Sequence, residues 1–419
     1  MSPSCEAQHD NGMQRSGERG SRTSRHVTVL KAQDWPGSRG AVSTSLDVEL
    51  TERCNNACGH CCIALPSRQH LASGMESSTE QWCEILEAAA GVGILSVRFT
   101  GGEPLLRPDF PDIYLKARTL GLKVTIATNA RLFTPEIADL LTRVPPLESV
   151  DISVYGATAP SYDAVAGAKG AYDEFRRGVG LLAERGVAFV LTPVVLPTNV
   201  AEIEALEGLV AVTMGTEPSA SSVTLLDLRG RWDSSRKNAV ISSLRFPPRD
   251  VVSLLSRRGD AFREEMAAWV DGLGRPRGES LFPCGAGQRG CVDAYGKLQM
   301  CLLLRHPEST YDLRTGSLQE ALTETFPRFR ERRATNPAYL ERCARCFLGG
   351  LCEQCPAKSW AEHGTLDTPV EYLCEVAHAL ARHLGLLGEG ELAWETKDWP
   401  ERVEAFAGDV QTSVGSGRG

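Results

Sequence analysis

The feature that most constrains this chain is the placement of its fourteen cysteines along 419 residues. Cys54, Cys58 and Cys61 form a C-x3-C-x2-C run, eight more lie from Cys284 to Cys374, and the stretch between Cys83 and Cys284 has none. Thiols at such density serve disulfides, zinc or iron–sulfur clusters, and disulfides need an oxidising compartment. Residues 1–26 carry Arg15, Arg19, Arg22 and Arg25 among Ser and Gly without the apolar stretch of a secretion signal. A reduced, cytoplasmic setting is expected, with the cysteines as metal ligands.

The remaining composition narrows the class. A hydrophobic fraction of 42% with 23% charged residues is globular, and 45 Lys+Arg against 53 Asp+Glu leaves no excess of cations for a nucleic-acid partner. No run of eighteen apolar residues exists, so no membrane span is expected. Residues 1–40, rich in Ser, Gly, Arg and Gln, read as a flexible leader. Over residues 41–230, β-like runs alternate with amphipathic segments: Ser45–Leu50, Ser96–Phe99, Lys123–Thr128, Ser149–Ser153, Phe189–Leu196 and Ser222–Leu228. Strands that alternate with helices imply parallel βα units, and six of them suggest an α/β fold as an open, partial barrel. Residues 231–283 read as a connecting helical segment, with one helix over Arg249–Trp269. Residues 284–388 read as a cysteine-rich unit that ends in a helix, and 389–419 as an acidic tail interleaved with Trp394, Trp399 and Phe406. A segment poor in apolar periodicity and dense in cysteine needs metal to fold.

The C-x3-C-x2-C run follows the first strand directly, which puts its thiols at the strand's C-terminal edge, where α/β barrels carry chemistry. Three thiolates hold three corners of a [4Fe–4S] cube and leave one iron open; the alternative is a zinc knuckle that borrows His60 or Cys62. Thr100-Gly101-Gly102-Glu103-Pro104 ends the second strand, and its two glycines permit close approach of a ligand to the backbone.

The two motifs, in this order and at this distance, resemble the radical S-adenosylmethionine (SAM) superfamily over about residues 41–230. The resemblance implies a partial (β/α)6 barrel, Cys54, Cys58 and Cys61 as ligands of a [4Fe–4S] cluster, and His60 in the aromatic position before the third cysteine. It implies Gly101, Gly102, Glu103 and Pro104 as the segment that holds the SAM amino group. Asn129 after the third strand and Ser153 at the end of the fourth would reach ribose and methionyl carboxylate, although both residues also suit plain loop capping. The stretch Val190–Val194 would pack on adenine, with Pro193 marking a bulge or strand end. The chemistry implied is reductive cleavage of SAM to a 5′-deoxyadenosyl radical that abstracts a substrate hydrogen.

The later cysteines, Cys284 with Cys291, Gly296-x4-Cys301, Cys343-x2-Cys346-x5-Cys352-x2-Cys355 and Cys374, resemble the SPASM extension of such enzymes, which binds two auxiliary [4Fe–4S] clusters. The resemblance implies Cys284, Cys291, Cys301 and Cys355 for one cluster and Cys343, Cys346, Cys352 and Cys374 for the other; structural zinc is the alternative. The family has three residues where this chain has only Glu353 and Gln354. Cys5, Cys62 and Cys83 receive no role.

Proteins of this kind mostly mature peptides or oxidise a residue of a partner enzyme, so the expected function is radical modification of a ribosomal peptide or protein substrate. A formylglycine-generating enzyme is the alternative, with His306, Asp151 and Asp312 as candidate bases, and a non-enzymatic electron carrier is a third. An electron donor such as flavodoxin or ferredoxin is implied, as is a separate peptide-recognition protein. Arg229–Asp233 with Arg236 and Lys237 reads as a docking loop or as a solvated linker.

Overall fold

Leu46, Val48 and Leu50, two apart, give β1 (Ser45–Thr51) one apolar side. The alternation recurs in β2 (Ser96–Gly101), β3 (Lys123–Thr128), β4 (Leu147–Val154) and β5 (Phe189–Pro193). The structure, a computed structural model, describes residues 44–66, 74–215, 225–230, 234–257, 259–268, 275–288 and 290–416. These five strands pair in parallel and in chain order. Between them run α1 (Thr79–Gly91), α2 (Phe110–Thr119), α3 (Pro135–Arg143), α4 (Ala159–Ala166) and α5 (Ala171–Glu184), and α6 (Ile203–Met214) follows β5. Their ends are locally encoded: Ser78 and Gln81 form a capping box for α1, Thr134 caps α3 ahead of Pro135, and Gly167 closes α4 at φ +62°. Strand β5 stops at Pro193, as the missing proline N–H requires.

Trp82 and Leu86 of α1 and Phe110, Ile113 and Tyr114 of α2 join Val48, Val97, Phe99, Val124 and Ile126 in one core. The face of the sheet opposite these apolar side chains carries Asp47, Glu49, Arg98, Asp151 and Ser153, and Arg98 donates to Asp47 Oδ1 at 2.8 Å. Helices on one face and polar groups on the other is the arrangement of a barrel wall.

The cysteine-rich segment is not set apart from this sheet. After α7 (Ser234–Ser243), α8 (Pro248–Ser256) and α9 (Asp260–Ala268), strands β6 (Gly290–Val292), β7 (Lys297–Gln299) and β8 (Thr310–Asp312) form an antiparallel meander whose β6 pairs in parallel with β1. The described residues thus hold an eight-stranded sheet of order β8-β7-β6-β1-β2-β3-β4-β5, and Val292, Leu298 and Met300 enter the barrel's core. The expected sixth strand is not present as such: 222–224 lie outside the described residues, and Leu225–Leu228 carry no strand pairing. The single helix expected over Arg249–Trp269 is two, because Gly259 takes φ +56° between α8 and α9. With α10 (Pro356–His363) preceding them, α11 (Glu371–His383) and α12 (Trp399–Ser416) complete the chain. Val251, Phe262, Val376, Leu380, Val403 and Phe406 form a second core, so the acidic tail buries its apolar residues here. The leader, 1–40, lies outside the described residues. Among the described residues no helix is long and apolar enough to cross a membrane.

Candidate functional site

Parallel pairing brings the C-terminal ends of β1 to β4 to one edge, and the first three cysteines follow β1 there. Every cysteine among the described residues is a free thiol. Cys54 and Cys58 are buried; burial, with the other thiols and Glu103 nearby, drives the Cys54 thiol far up, and burial with the Cys61 charge pushes Cys58 up to about 12. Three N–H donors are aimed at these sulfurs: Asn56 N and Asn129 Nδ2 at Cys54 Sγ, 3.3 and 3.7 Å away, and Ala64 N at Cys61 Sγ, 3.3 Å away. Buried thiols that are costly to ionise alone, yet already hydrogen-bonded as acceptors, suit a soft metal that deprotonates them. Among the described residues no three His, Cys, Asp or Glu side chains converge closely enough to share one metal ion. A cube gives each thiolate its own iron and asks for wider spacing than a tetrahedral ion does.

The loop that carries these thiols is held from several sides. Arg131, almost wholly buried, donates from Nη1 to the Asn55 carbonyl at 2.8 Å and to Asn56 Oδ1, and pairs with Glu174 at 2.6 Å. Lys237 Nζ donates to the Cys58 carbonyl at 2.6 Å. Arg229 pairs with Glu52 at 2.8 Å, with side-chain exposures of 0% and 3%, and also donates to the Cys62 and Ile63 carbonyls. Glu52 in turn accepts from Tyr295 Oη at 2.7 Å, so the hairpin of the cysteine-rich segment is tied to the same loop. Arg229 and Lys237 were legible only as part of a docking loop or solvated linker; they are loop clamps, while 231–233 lie outside the described residues. Arg131 had no sequence signal beyond its place two residues after Asn129.

Gly101 and Gly102 lie directly against the chain's own backbone. A Cβ on Gly101, which takes φ +117°, would stand 2.2 Å from the Thr51 carbonyl oxygen, and one on Gly102 would stand 2.0 Å from that of Arg53. Both glycines let the second loop lie against the backbone of the cysteine loop, and Gly102 N and Glu103 N donate to those two carbonyls at 2.8 and 2.9 Å. Gly102→Ala is expected to cost about 1–3 kcal/mol by overpacking, read as a lower denaturation midpoint together with poorer iron retention.

Glu103 is completely buried ahead of Pro104, and its carboxylate accepts from Thr128 Oγ1 at 2.8 Å, Asn129 N at 2.8 Å and Leu105 N at 3.1 Å. Burial outweighs these bonds and raises its pKa to about 7. A raised carboxyl contributes stability that is complete below the unfolded value of 4.5 and is lost as the pH climbs through about 7. In the metal-free chain this loss is on the order of 3 kcal/mol, and denaturation midpoints of Glu103→Gln across that range should be flatter than those of the wild type.

Asn129 does reach the site, but its amide donates to Asn55 Oδ1 at 2.7 Å as well as to Cys54, which makes it a brace of the cysteine loop. Ser153 lies on the polar face, in register with Thr192 of β5. His60 stacks obliquely on Tyr155 with ring centroids 5.8 Å apart; burial and the Lys237 charge lower its pKa to about 4, so the ring is neutral at pH 7. Of the candidate bases, Asp312 is held well below the usual carboxylate range by Arg314 and Lys297, and His306 Nδ1 accepts from Glu308 N, whereas Asp151 lies on the polar face.

The later cysteines fall into two groups. Cys343, Cys346, Cys352 and Cys374 line one pocket of about 450 Å³, open mouth included, with Arg277, Arg342, His378 and Trp394 around them. Burial and the mutual proximity of these thiols push Cys343 and Cys346 up to about 12. Arg342 donates to Cys374 Sγ at 3.6 Å and pairs with Glu371 at 2.7 Å. In the other group burial, Cys355 and Cys284 push Cys301 up to about 12. Despite the shortened spacing, Gln354 anchors this turn by donating to Ser359 Oγ at 2.7 Å and accepting from Val370 N at 2.9 Å. Cys291 sits in β6 opposite Asp47, and Glu49, Arg305, Asp47 and Asp293 are among its charged neighbours. The strand pairing sets this thiol on the same face of the sheet as Asp47.

Residues 48–210 match the model of the Radical SAM superfamily. An AdoMet-dependent heme synthase of Nitratidesulfovibrio vulgaris is 31% identical over 151 residues, 36% of this chain and 40% of the relative. A PqqA peptide cyclase of Xanthomonas euvesicatoria pv. vesicatoria is 29% identical over 201 residues, 48% of this chain and 51% of the relative. The chain therefore spans about half, or less, of the length of these curated relatives. Among solved structures, Streptococcus suis SuiB bound to precursor peptide SuiA superposes with a TM-score of 0.57 at 16% identity over 78% of this chain and 74% of SuiB. AnSMEcpe with bound AdoMet and the Cp18Cys peptide gives 0.58 at 15% identity over 87% of this chain and 99% of its own. These superpositions establish a shared fold.

Proposed function

Starting from a chain whose residues 48–210 are a radical SAM domain, we propose that it modifies a ribosomally made peptide or a protein substrate by abstracting a hydrogen atom. The observation that carries this reading is the gathering of Cys54, Cys58 and Cys61 at the C-terminal edge of a parallel sheet, beside a face lined by Asp47, Arg98, Asp151 and Ser153. Cys54, Cys58 and Cys61 would hold a [4Fe–4S] cluster; with SAM bound at its open iron, that group supplies a carbon-centred radical on reduction. The rest is the work of the chain's own residues. Asn56, Ala64 and Asn129 donate toward the sulfurs and favour their ionised form. Arg131, Arg229 and Lys237 fix the loop, which preserves the alignment a reacting hydrogen needs. The helices seal the opposite face of the sheet from water.

A peptide-like substrate is favoured because the relatives and fold neighbours include a peptide cyclase and enzymes bound to peptides. The polar face suits the amide groups of an extended chain, and the reduced thiols suit a cytoplasmic protein served by flavodoxin or ferredoxin. Cys343, Cys346, Cys352 and Cys374 would hold an auxiliary cluster for electron transfer. A separate recognition protein would deliver the peptide.

The test is co-expression with short peptides encoded beside the gene, followed by mass spectrometry. A mass change in one peptide that needs SAM, reductant and Cys58 is expected. Conversion of a cysteine or serine in a sulfatase to formylglycine would favour the second reading instead, with Asp151 as the base on the polar face. Production of 5′-deoxyadenosine with neither modification would overturn the peptide or protein assignment.

A further inference from the structure

The acidic tail does more than complete the second core, because Trp394 lines the pocket of Cys343, Cys346, Cys352 and Cys374. Two arginines line the same pocket and are engaged differently. Arg277 donates to the Gly349 carbonyl at 2.9 Å and to the carbonyls of Cys352 and Gln354, which holds the cysteine turn. Arg342 reaches sulfur: its Nη2 donates to Cys374 Sγ at 3.6 Å and to Glu371 Oε2 at 2.8 Å, while Nη1 donates to Glu371 Oε1 at 2.7 Å. The guanidinium carbon lies 4.9 Å from the centroid of the Trp394 ring, so the tail supplies the shelf on which this cation rests. Arg342 Nε is buried without a hydrogen-bond partner among the described residues, which leaves one donor of the fork uncommitted.

Cys374 has a second donor. His378 follows it by one turn of α11, and its Nδ1 stands 2.8 Å from the Cys374 carbonyl oxygen and 3.6 Å from Sγ. The tail settles which ring nitrogen carries the hydrogen: Ala393 N donates to Nε2 at 3.2 Å, so Nε2 is the acceptor and Nδ1 the donor. Trp394 sets itself edge-on to the His378 ring, with centroids 5.2 Å apart. Reduction puts more negative charge on the sulfurs of a cluster, and N–H donors to a ligating sulfur, above all cationic ones, favour that state. The Glu371 side chain is 60% exposed, so water screens its carboxylate and little of the Arg342 effect is cancelled.

We propose that Arg342 and His378, held by Ala393 and Trp394 of the tail, are positioning residues that raise the reduction potential of the cluster carried by Cys343, Cys346, Cys352 and Cys374. This rests on the auxiliary-cluster reading given above.

The test uses the full chain, reconstituted anaerobically, with iron content and a redox titration followed by electron paramagnetic resonance (EPR) as readouts. Cys346→Ala identifies the signal: it should hold about four irons fewer than wild type and lack one reduction wave. Arg342→Gln should keep the iron of the wild type and move that same wave, and no other, to lower potential by about tenfold in the one-electron equilibrium constant, or about 59 mV. Arg342→Lys, which keeps the charge without the planar fork, should recover part of the shift. His378→Phe should move the same wave in the same direction by less. An Arg342→Gln titration that matches wild type, or a shift shared equally by all waves, overturns the proposal. If Arg342→Gln loses about four irons, Arg342→Lys is read in its place by the same criteria, and equal iron loss there would make Arg342 a structural clamp and overturn the proposal as well. A Cys346→Ala chain with as much iron as wild type would instead overturn the auxiliary-cluster reading on which the proposal rests.

Discussion

Replacing Cys58 with alanine is expected to remove about four irons per chain and to abolish formation of 5′-deoxyadenosine from SAM. With two of three thiols left, the loop offers too few corners to retain a cube. The effect should be confined to that cluster, since the loop stays anchored by Arg131 to Asn55 and by Arg229 to Glu52. Iron analysis beside chromatography of the nucleoside checks both halves. Loss of the nucleoside with full iron content would mean that Cys58 acts on SAM without being a ligand.

The second large effect is on stability. Arg229→Met leaves the Glu52 carboxylate in a site where the two side chains are 0% and 3% exposed. Removing the cation of a buried ion pair costs about 3–5 kcal/mol, mostly because the surviving charge keeps its desolvation cost. Arg229 also donates to the Cys62 and Ile63 carbonyls, so the cysteine loop loses its anchor at the same time. The expected result is a lower denaturant midpoint together with reduced iron at the first cluster. Arg229→Lys should recover part of the stability, because it keeps the charge but lacks the planar fork that reaches Glu52 and both carbonyls. A variant with unchanged midpoint would show that the pair carries no net stability.

The β-like runs that alternate with amphipathic segments placed the first five strands to within a few residues, and the cysteine and glycine motifs marked the edge where the site forms. What escaped the sequence was long-range. A three-residue strand such as Gly290–Val292 is too short to carry a periodic signal, and its partner, β1, lies more than two hundred residues earlier. Without that pairing, the place of Cys291 opposite Asp47 could not be read. Arg229 stands in a polar stretch that reads as solvated; its burial depends on Glu52, which nothing local to either residue reveals. The contact of Gly101 and Gly102 with the backbone of Thr51 and Arg53 is likewise long-range and has no local signal. Gly259 split a continuous helical pattern because a positive φ outweighs the periodicity on either side.

The central claim, that this chain makes radicals from SAM, is tested most directly by mixing the reconstituted, dithionite-reduced wild type with SAM under anaerobic conditions. The expected result is 5′-deoxyadenosine and methionine in equal amounts. Intact SAM recovered beside fully reduced clusters would contradict it.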